Sequence, residues 1–117
     1  MISMRTKQKI LESKPVRLQQ WEVDETTKLV VIYKPKFENA IARKSLLPFF
    51  RNKYFTIKLD ALGSEVWKHC DGEQTVRQLG IILAKKFGPE IEPIYDRLIQ
   101  FMVELQRGKF VRLVDSQ

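Results

Sequence analysis

The sequence predicts a small α+β domain in which a sheet precedes a set of helices. Two observations carry this prediction. Strand-like runs with alternating or β-branched residues fill the first half of the chain, and apolar residues at helical spacing recur three times in the second half. A chain of 117 residues, 44% of them hydrophobic, can bury one core. We therefore expect three antiparallel strands followed by three helices.

The first two strands are predicted to form a hairpin. Residues 16–23 alternate with a period of two, residues 28–33 are rich in β-branched and aromatic side chains, and a polar turn separates them. Residues 53–59 alternate clearly between two faces and predict a third strand. Residues 110–114 are expected to add a short strand after the helices.

Three helices account for the second half. Helix one covers about residues 60–70, helix two begins at Thr75, and helix three runs from about residue 91 or 93 to 107. Thr75 and Gln78 have the spacing of a capping box, and Gly88 ends helix two. With the small sheet, these helices resemble a winged helix-turn-helix. The predicted core contains Val66, Trp67, Leu79, Leu83, Leu98 and Phe101.

Two segments lie outside this pattern. Residues 1–14 are polar and basic and are predicted to be a flexible tail, which leaves 15–117 as a single domain. Residues 35–52 form a basic insertion, in which a short amphipathic helix over about 38–47 would end at Pro48. The insertion either serves association or covers one edge of the sheet.

The charge pattern bears on nucleic acid as a partner. The net charge is +7, but the excess lies in residues 1–14 and 34–53, whereas 54–117 are balanced. The segment at the start of helix three carries Glu90 and Glu92, so it would meet phosphates with like charge. We expect no specific nucleic-acid binding, and a winged helix-turn-helix DNA-binding or regulatory protein is the alternative function.

No arrangement of residues predicts a catalytic site, a metal site or a cofactor. Cys70 is the single cysteine, so no intramolecular disulfide can form. Its neighbour His69 points about 100° away on a helix, which is a poor geometry for chelation or for activating a thiol. Without a secretory h-region or an apolar run of about 18 residues, the chain is expected to be cytoplasmic and to lack a transmembrane segment.

A set of short motifs resembles the PqqD-like family. They are Leu62-Gly63 with Val66-Trp67, then Cys70-Asp71-Gly72, then Thr75-Val76, and the resemblance covers about residues 54–114. It implies a non-catalytic peptide-recognition domain that binds the leader of a ribosomal precursor peptide. The peptide would be presented to a maturation enzyme, such as a radical-SAM protein, which is a separate chain because no C-x-x-x-C-x-x-C motif occurs here.

The resemblance also implies where the peptide binds. It would lie as an added strand between the third strand and helix three, and a free sheet edge beside an apolar helix favours the same mode of binding. The predicted peptide-binding residues are Tyr54, Phe55, Thr56, Ile57, Lys58, Tyr95, Leu98, Ile99 and Met102. The sequence leaves open the peptide, the pathway, and whether the protein is a monomer or a homodimer.

Overall fold

The computed structural model describes residues 2–36, 44 and 54–115. The chain divides into two compact units, a helical unit of Met1–Leu18 and Ala61–Gln117 and a sheet unit of Gln19–Asp60. A single domain over 15–117 therefore stays a prediction. The predicted helix over 38–47 and most of the insertion 35–52 lie outside the described residues.

The described elements alternate between helices and strands more than the sequence predicted. In chain order they are α1 (Met4–Glu12), β1 (Lys14–Arg17), β2 (Gln20–Val23), β3 (Val30–Pro35), β4 (Tyr54–Lys58), α2 (Ala61–Lys68), α3 (Val76–Phe87), α4 (Ile94–Arg107) and β5 (Val111–Val114). A short 3-10 helix, Gly88–Ile91, joins α3 to α4. The α+β class is confirmed, and the winged arrangement stays a prediction.

The three predicted helices form, and the capping box is confirmed. The Thr75 hydroxyl accepts the Gln78 N–H at 3.1 Å, while the Gln78 side chain accepts the Thr75 N–H at 2.8 Å. These two bonds satisfy N–H groups that have no partner inside the helix. Gly88 follows the last turn of α3 with a φ of 76°, a conformation that favours glycine.

The N-terminal segment is a helix, so the prediction of a flexible tail over residues 1–14 was wrong there. The Ser3 hydroxyl caps α1 by accepting the Thr6 N–H at 3.1 Å. Ile10 is buried, and Glu12 pairs with Arg77 of α3 at 2.8 Å. The polar composition concealed this helix because its stability comes from packing rather than from propensity.

Residues 16–23 do not form one strand, as was predicted, but parts of two sheets. β1 pairs antiparallel with β5, and the Leu18 N–H still donates to the Phe110 carbonyl at 2.9 Å. After Leu18 the chain leaves this pair and enters the sheet unit, where β2 begins. β1 thus finds a partner almost a full chain length away, which local periodicity cannot reveal. The short strand predicted over 110–114 is confirmed as β5.

The sheet unit contains the predicted three-stranded antiparallel sheet, with strand order β2-β3-β4. Its first hairpin turns at Asp24, whose carboxylate accepts the N–H groups of Thr26 at 2.8 Å and Thr27 at 3.1 Å. These bonds lower the pKa of the Asp24 carboxyl. The predicted hairpin between the first two strands of this sheet is therefore formed by β2 and β3.

The core of the helical unit follows the prediction closely. Val66, Trp67, Leu79, Leu83 and Leu98 are all buried. Phe101 was predicted to join them and is only half-buried, so that prediction was wrong.

The turn between α2 and α3 is fastened to β1. Gly72 has a φ of 83°, and its N–H donates to the Pro15 carbonyl at 2.9 Å. The Arg17 guanidinium donates to the carbonyls of Trp67 at 3.0 Å and Lys68 at 2.9 Å, at the end of α2. The turn at Asp71-Gly72 and the end of α2 are thus both held by hydrogen bonds to an N-terminal strand.

Candidate functional site

The backbone of β4 faces in two directions, which the register defines. Leu59 donates its N–H to the Val30 carbonyl at 2.9 Å, so these two residues form a hydrogen-bonded pair. In an antiparallel ladder such pairs alternate with pairs whose N–H and C=O groups point outward. Phe55 and Ile57 therefore bond to β3. The N–H and C=O groups of Tyr54, Thr56 and Lys58 point to the opposite edge.

That outer edge of β4 has no partner strand among the described residues. The three residues whose backbone groups point to this edge, Tyr54, Thr56 and Lys58, are all exposed. Since an unpaired strand edge offers a regular row of donors and acceptors, another extended chain can add to it.

The side chains of β4 form two different faces. Phe55 and Ile57 share the face of Ile32 and Lys34, and Phe55 is 54% exposed. The Lys36 ammonium lies 5.6 Å from the centre of the Phe55 ring, within range of a cation–π interaction. An added strand would therefore meet an apolar side chain bordered by positive charge on this face.

The second face is aromatic and polar. Tyr54 is 42% exposed, and its ring meets the Tyr33 ring edge-on with centroids 6.5 Å apart. The Tyr33 hydroxyl donates to the Glu22 carboxylate, which raises the pKa of Tyr33. This network holds the two rings in place beside Thr56 and Lys58.

The predicted helix residues lie in the other unit and are mostly interior. Leu98, Ile99 and Met102 of α4 are buried, while Tyr95 is half-buried with its ring against Gly80 of α3. Within the helical unit α4 packs against α1, α3 and β5. The strand residues and the helix residues are thus described in separate units, and a joint role in peptide binding stays a prediction.

Cys70, Glu65 and His69 are of residue types that can serve in catalysis, but their surroundings indicate structural roles. Burial raises the pKa of Cys70 to about 12, and its thiol donates to the Val66 carbonyl at 3.2 Å. A protonated, buried thiol is a poor nucleophile. The Lys86 ammonium, 2.7 Å away, lowers the pKa of Glu65, and His69 lies 3.9 Å from the same carboxylate. Within the described part of the chain, no group of three His, Cys, Asp or Glu side chains could hold a metal ion.

Two residues beside β4 were missed from the sequence. Tyr33 supports Tyr54, and Lys36 covers Phe55. Each lies on or just after β3, which runs beside β4. Aligning residues 30–35 with 54–59 as neighbouring antiparallel strands could have indicated that Tyr33 lies beside the site. The register places Tyr33 opposite Thr56.

The comparison with protein families decides the assignment. The family model of coenzyme PQQ synthesis protein D (PqqD) matches residues 45–111, more than half of the chain. This protein belongs to the PqqD family. No curated protein and no solved structure gives a match. The PqqD match includes β4 and the helices α2 to α4, whereas α1 and β1 to β3 precede it.

Membership of the PqqD family supports a role associated with PQQ biosynthesis, as an accessory protein rather than an enzyme. Proteins of this family work with other components of PQQ synthesis. Among the described helices, none has the length and apolarity needed to cross a bilayer.

Proposed function

We propose that this PqqD-family protein is a non-catalytic, cytoplasmic peptide-binding domain. It captures the leader of a ribosomal precursor peptide as a strand added to β4 and presents it to a maturation enzyme such as a radical-SAM protein. The observation that carries the proposal is the outer edge of β4, where Tyr54, Thr56 and Lys58 direct their backbone groups away from β3.

The length of this edge determines how many peptide residues can pair with it and therefore the expected affinity. Tyr54–Lys58 extends over about 14 Å at roughly 3.4 Å per residue, so about five peptide residues can pair with it. In an antiparallel arrangement each outward-facing residue exchanges two hydrogen bonds with the peptide. Each bond contributes about 0.5–1.5 kcal/mol net, and ordering a flexible leader offsets part of that gain. Micromolar affinity is therefore expected.

The helix residues enter the proposal as a source of selectivity. Tyr95, Leu98, Ile99 and Met102 were predicted to receive apolar peptide side chains, and Met102 adapts to varied partners because its side chain is unbranched. Leu98, Ile99 and Met102 are buried, so their contribution would require peptide side chains to reach an interior surface. The strand edge alone can supply binding through the peptide backbone.

The test removes one outward-facing donor. Thr56→Pro deletes the backbone N–H of Thr56 and removes no donor of the ladder between β4 and β3, because that N–H points outward. Thr56→Val keeps the N–H and is the matched control. The ligand is the synthetic leader of a precursor peptide encoded beside the gene, and binding is followed by amide chemical shifts.

We expect Thr56→Pro to weaken the affinity about tenfold or more and Thr56→Val to leave it within about twofold. Thermal unfolding of both variants shows whether the fold survives. Equal effects of the two substitutions, or shifts confined to α2 and α3, would contradict strand addition at β4. Sub-micromolar, sequence-selective binding of duplex DNA at physiological salt would support the DNA-binding alternative instead.

A further inference from the structure

We infer that the peptide which pairs with β4 carries an acidic side chain opposite Lys58 and apolar side chains opposite Phe55 and Ile57. This inference rests on the proposed function and deepens it by naming the chemistry of the ligand. It follows from the register of β4 and from the surroundings of these three side chains.

The alternation of side chains along β4 determines which peptide positions lie on which face of the sheet. Side chains of an added strand alternate between the two faces of the sheet, as those of β4 do. Peptide residues opposite Phe55 and Ile57 therefore share one face, and the residue opposite Lys58 lies on the other. Read along the peptide, the pattern is acidic, apolar, any residue, apolar, in one of the two chain directions.

The apolar positions follow from the exposed surface of Phe55. Its side chain is 54% exposed, and Ile57 beside it is half-buried. A peptide side chain laid across them removes apolar surface from water, and cross-strand aromatic or β-branched pairs are favourable. The Lys36 ammonium lies 5.6 Å from the centre of the Phe55 ring, so this charge is already engaged with an aromatic group.

The acidic position follows from the charge of Lys58. Lys58 is exposed and forms no ion pair within 4 Å among the described residues. The charge of Lys58 helps to lower the pKa of Asp24. The Asp24 carboxylate is itself held in the hairpin turn by the N–H groups of Thr26 and Thr27. Because these bonds fix the Asp24 carboxylate, the Lys58 ammonium can pair with a carboxylate on an added strand.

The experiment uses labelled synthetic peptides with a Val-Thr-Val core flanked by Gly and Ser. A guest residue, Glu or Lys, is placed directly before the core in one series and directly after it in the other. One series puts the guest opposite Lys58 if the peptide is antiparallel to β4, and the other does so if it is parallel. Fluorescence anisotropy measures the affinity of each peptide for the full-length protein.

In one series we expect Glu to bind about two- to fivefold more tightly than Lys, the range of an exposed ion pair, with the preference falling at high salt. Lys58→Glu should reverse this preference. Lys85→Glu, an exposed residue of α3, changes the net charge equally and should leave the preference unchanged. Replacing both Val residues by Ser should weaken binding in every case.

The outcomes separate this inference from the proposed function. If Glu and Lys guests bind equally while Thr56→Pro weakens both, strand addition stands and the acidic position is wrong. A preference lost equally in Lys58→Glu and Lys85→Glu would reflect net charge and would overturn the assignment to Lys58. Equal binding of the Val and Ser cores would overturn the apolar positions. If no guest peptide binds at millimolar concentration while the leader peptide does, this inference fails and the proposed function stands; if the leader does not bind either, both fail.

Discussion

The close contact between α3 and α4 gives a sharp test of packing in the helical unit. Gly80 lies within α3, and a Cβ atom added to it would stand 2.9 Å from Cζ and 3.1 Å from Cδ1 of Tyr95. Real Cβ atoms essentially never approach another heavy atom within 3.0 Å. In Gly80→Ala the Tyr95 ring must therefore shift.

Two opposing terms set the magnitude. Alanine within a helix is favoured over glycine by about 1 kcal/mol. Overpacking a filled site costs about 1–3 kcal/mol. With Tyr95 in place, we expect Gly80→Ala to lower the free energy of unfolding by about 1 kcal/mol. In a Tyr95→Ala background the ring is gone, and the same substitution should raise that free energy by about 1 kcal/mol.

Urea denaturation monitored by tryptophan fluorescence measures all four members of this double-mutant cycle. The expected coupling free energy between the two positions is about 2 kcal/mol, seen as a change of sign between the backgrounds. If Gly80→Ala stabilises the protein with Tyr95 present, the contact between α3 and α4 is not the constraint that the structure indicates.

Two further outcomes follow from buried residues of the helical unit. Trp67→Ala should lower the free energy of unfolding by about 3–5 kcal/mol, whereas Ile81→Ala, at an exposed position, should change it by less than about 1 kcal/mol; similar losses would place Trp67 outside the core. The buried Cys70 thiol has a pKa raised to about 12 from 9.0, so the folded protein keeps this proton where the unfolded chain loses it. Stability should be unaffected by this group below pH 9 and fall as the pH rises toward 12, and a slope of equal size in Cys70→Ala would exclude Cys70 as its source.

Local signals in the sequence predicted the helices well. The capping box at Thr75 and the glycine at position 88 are short-range features, and both ends of α3 lie where those residues indicate. The run over 53–59 was equally clear, because its alternation matches the two faces that β4 shows. In each case the residues that determine the structure are close together in the sequence.

Long-range pairing caused the errors. Nothing in residues 16–23 indicates that the first part pairs with β5 and the second with β3. α1 was missed for a related reason, since Ile10 and the Glu12–Arg77 pair stabilise it only once α3 is present. For the candidate site, the sequence named the residues of β4, but only the register shows that the Thr56 N–H points outward.

The pairing of β1 with β5 has a consequence for the order in which the chain can fold during synthesis. β1 is made early, yet its partner strand, Val111–Val114, is among the last described segments to leave the ribosome. Until then the edge of β1 that faces β5 is open, and an open edge invites pairing with other chains. The helical unit is thus expected to complete its folding late in translation, when β5 pairs with β1.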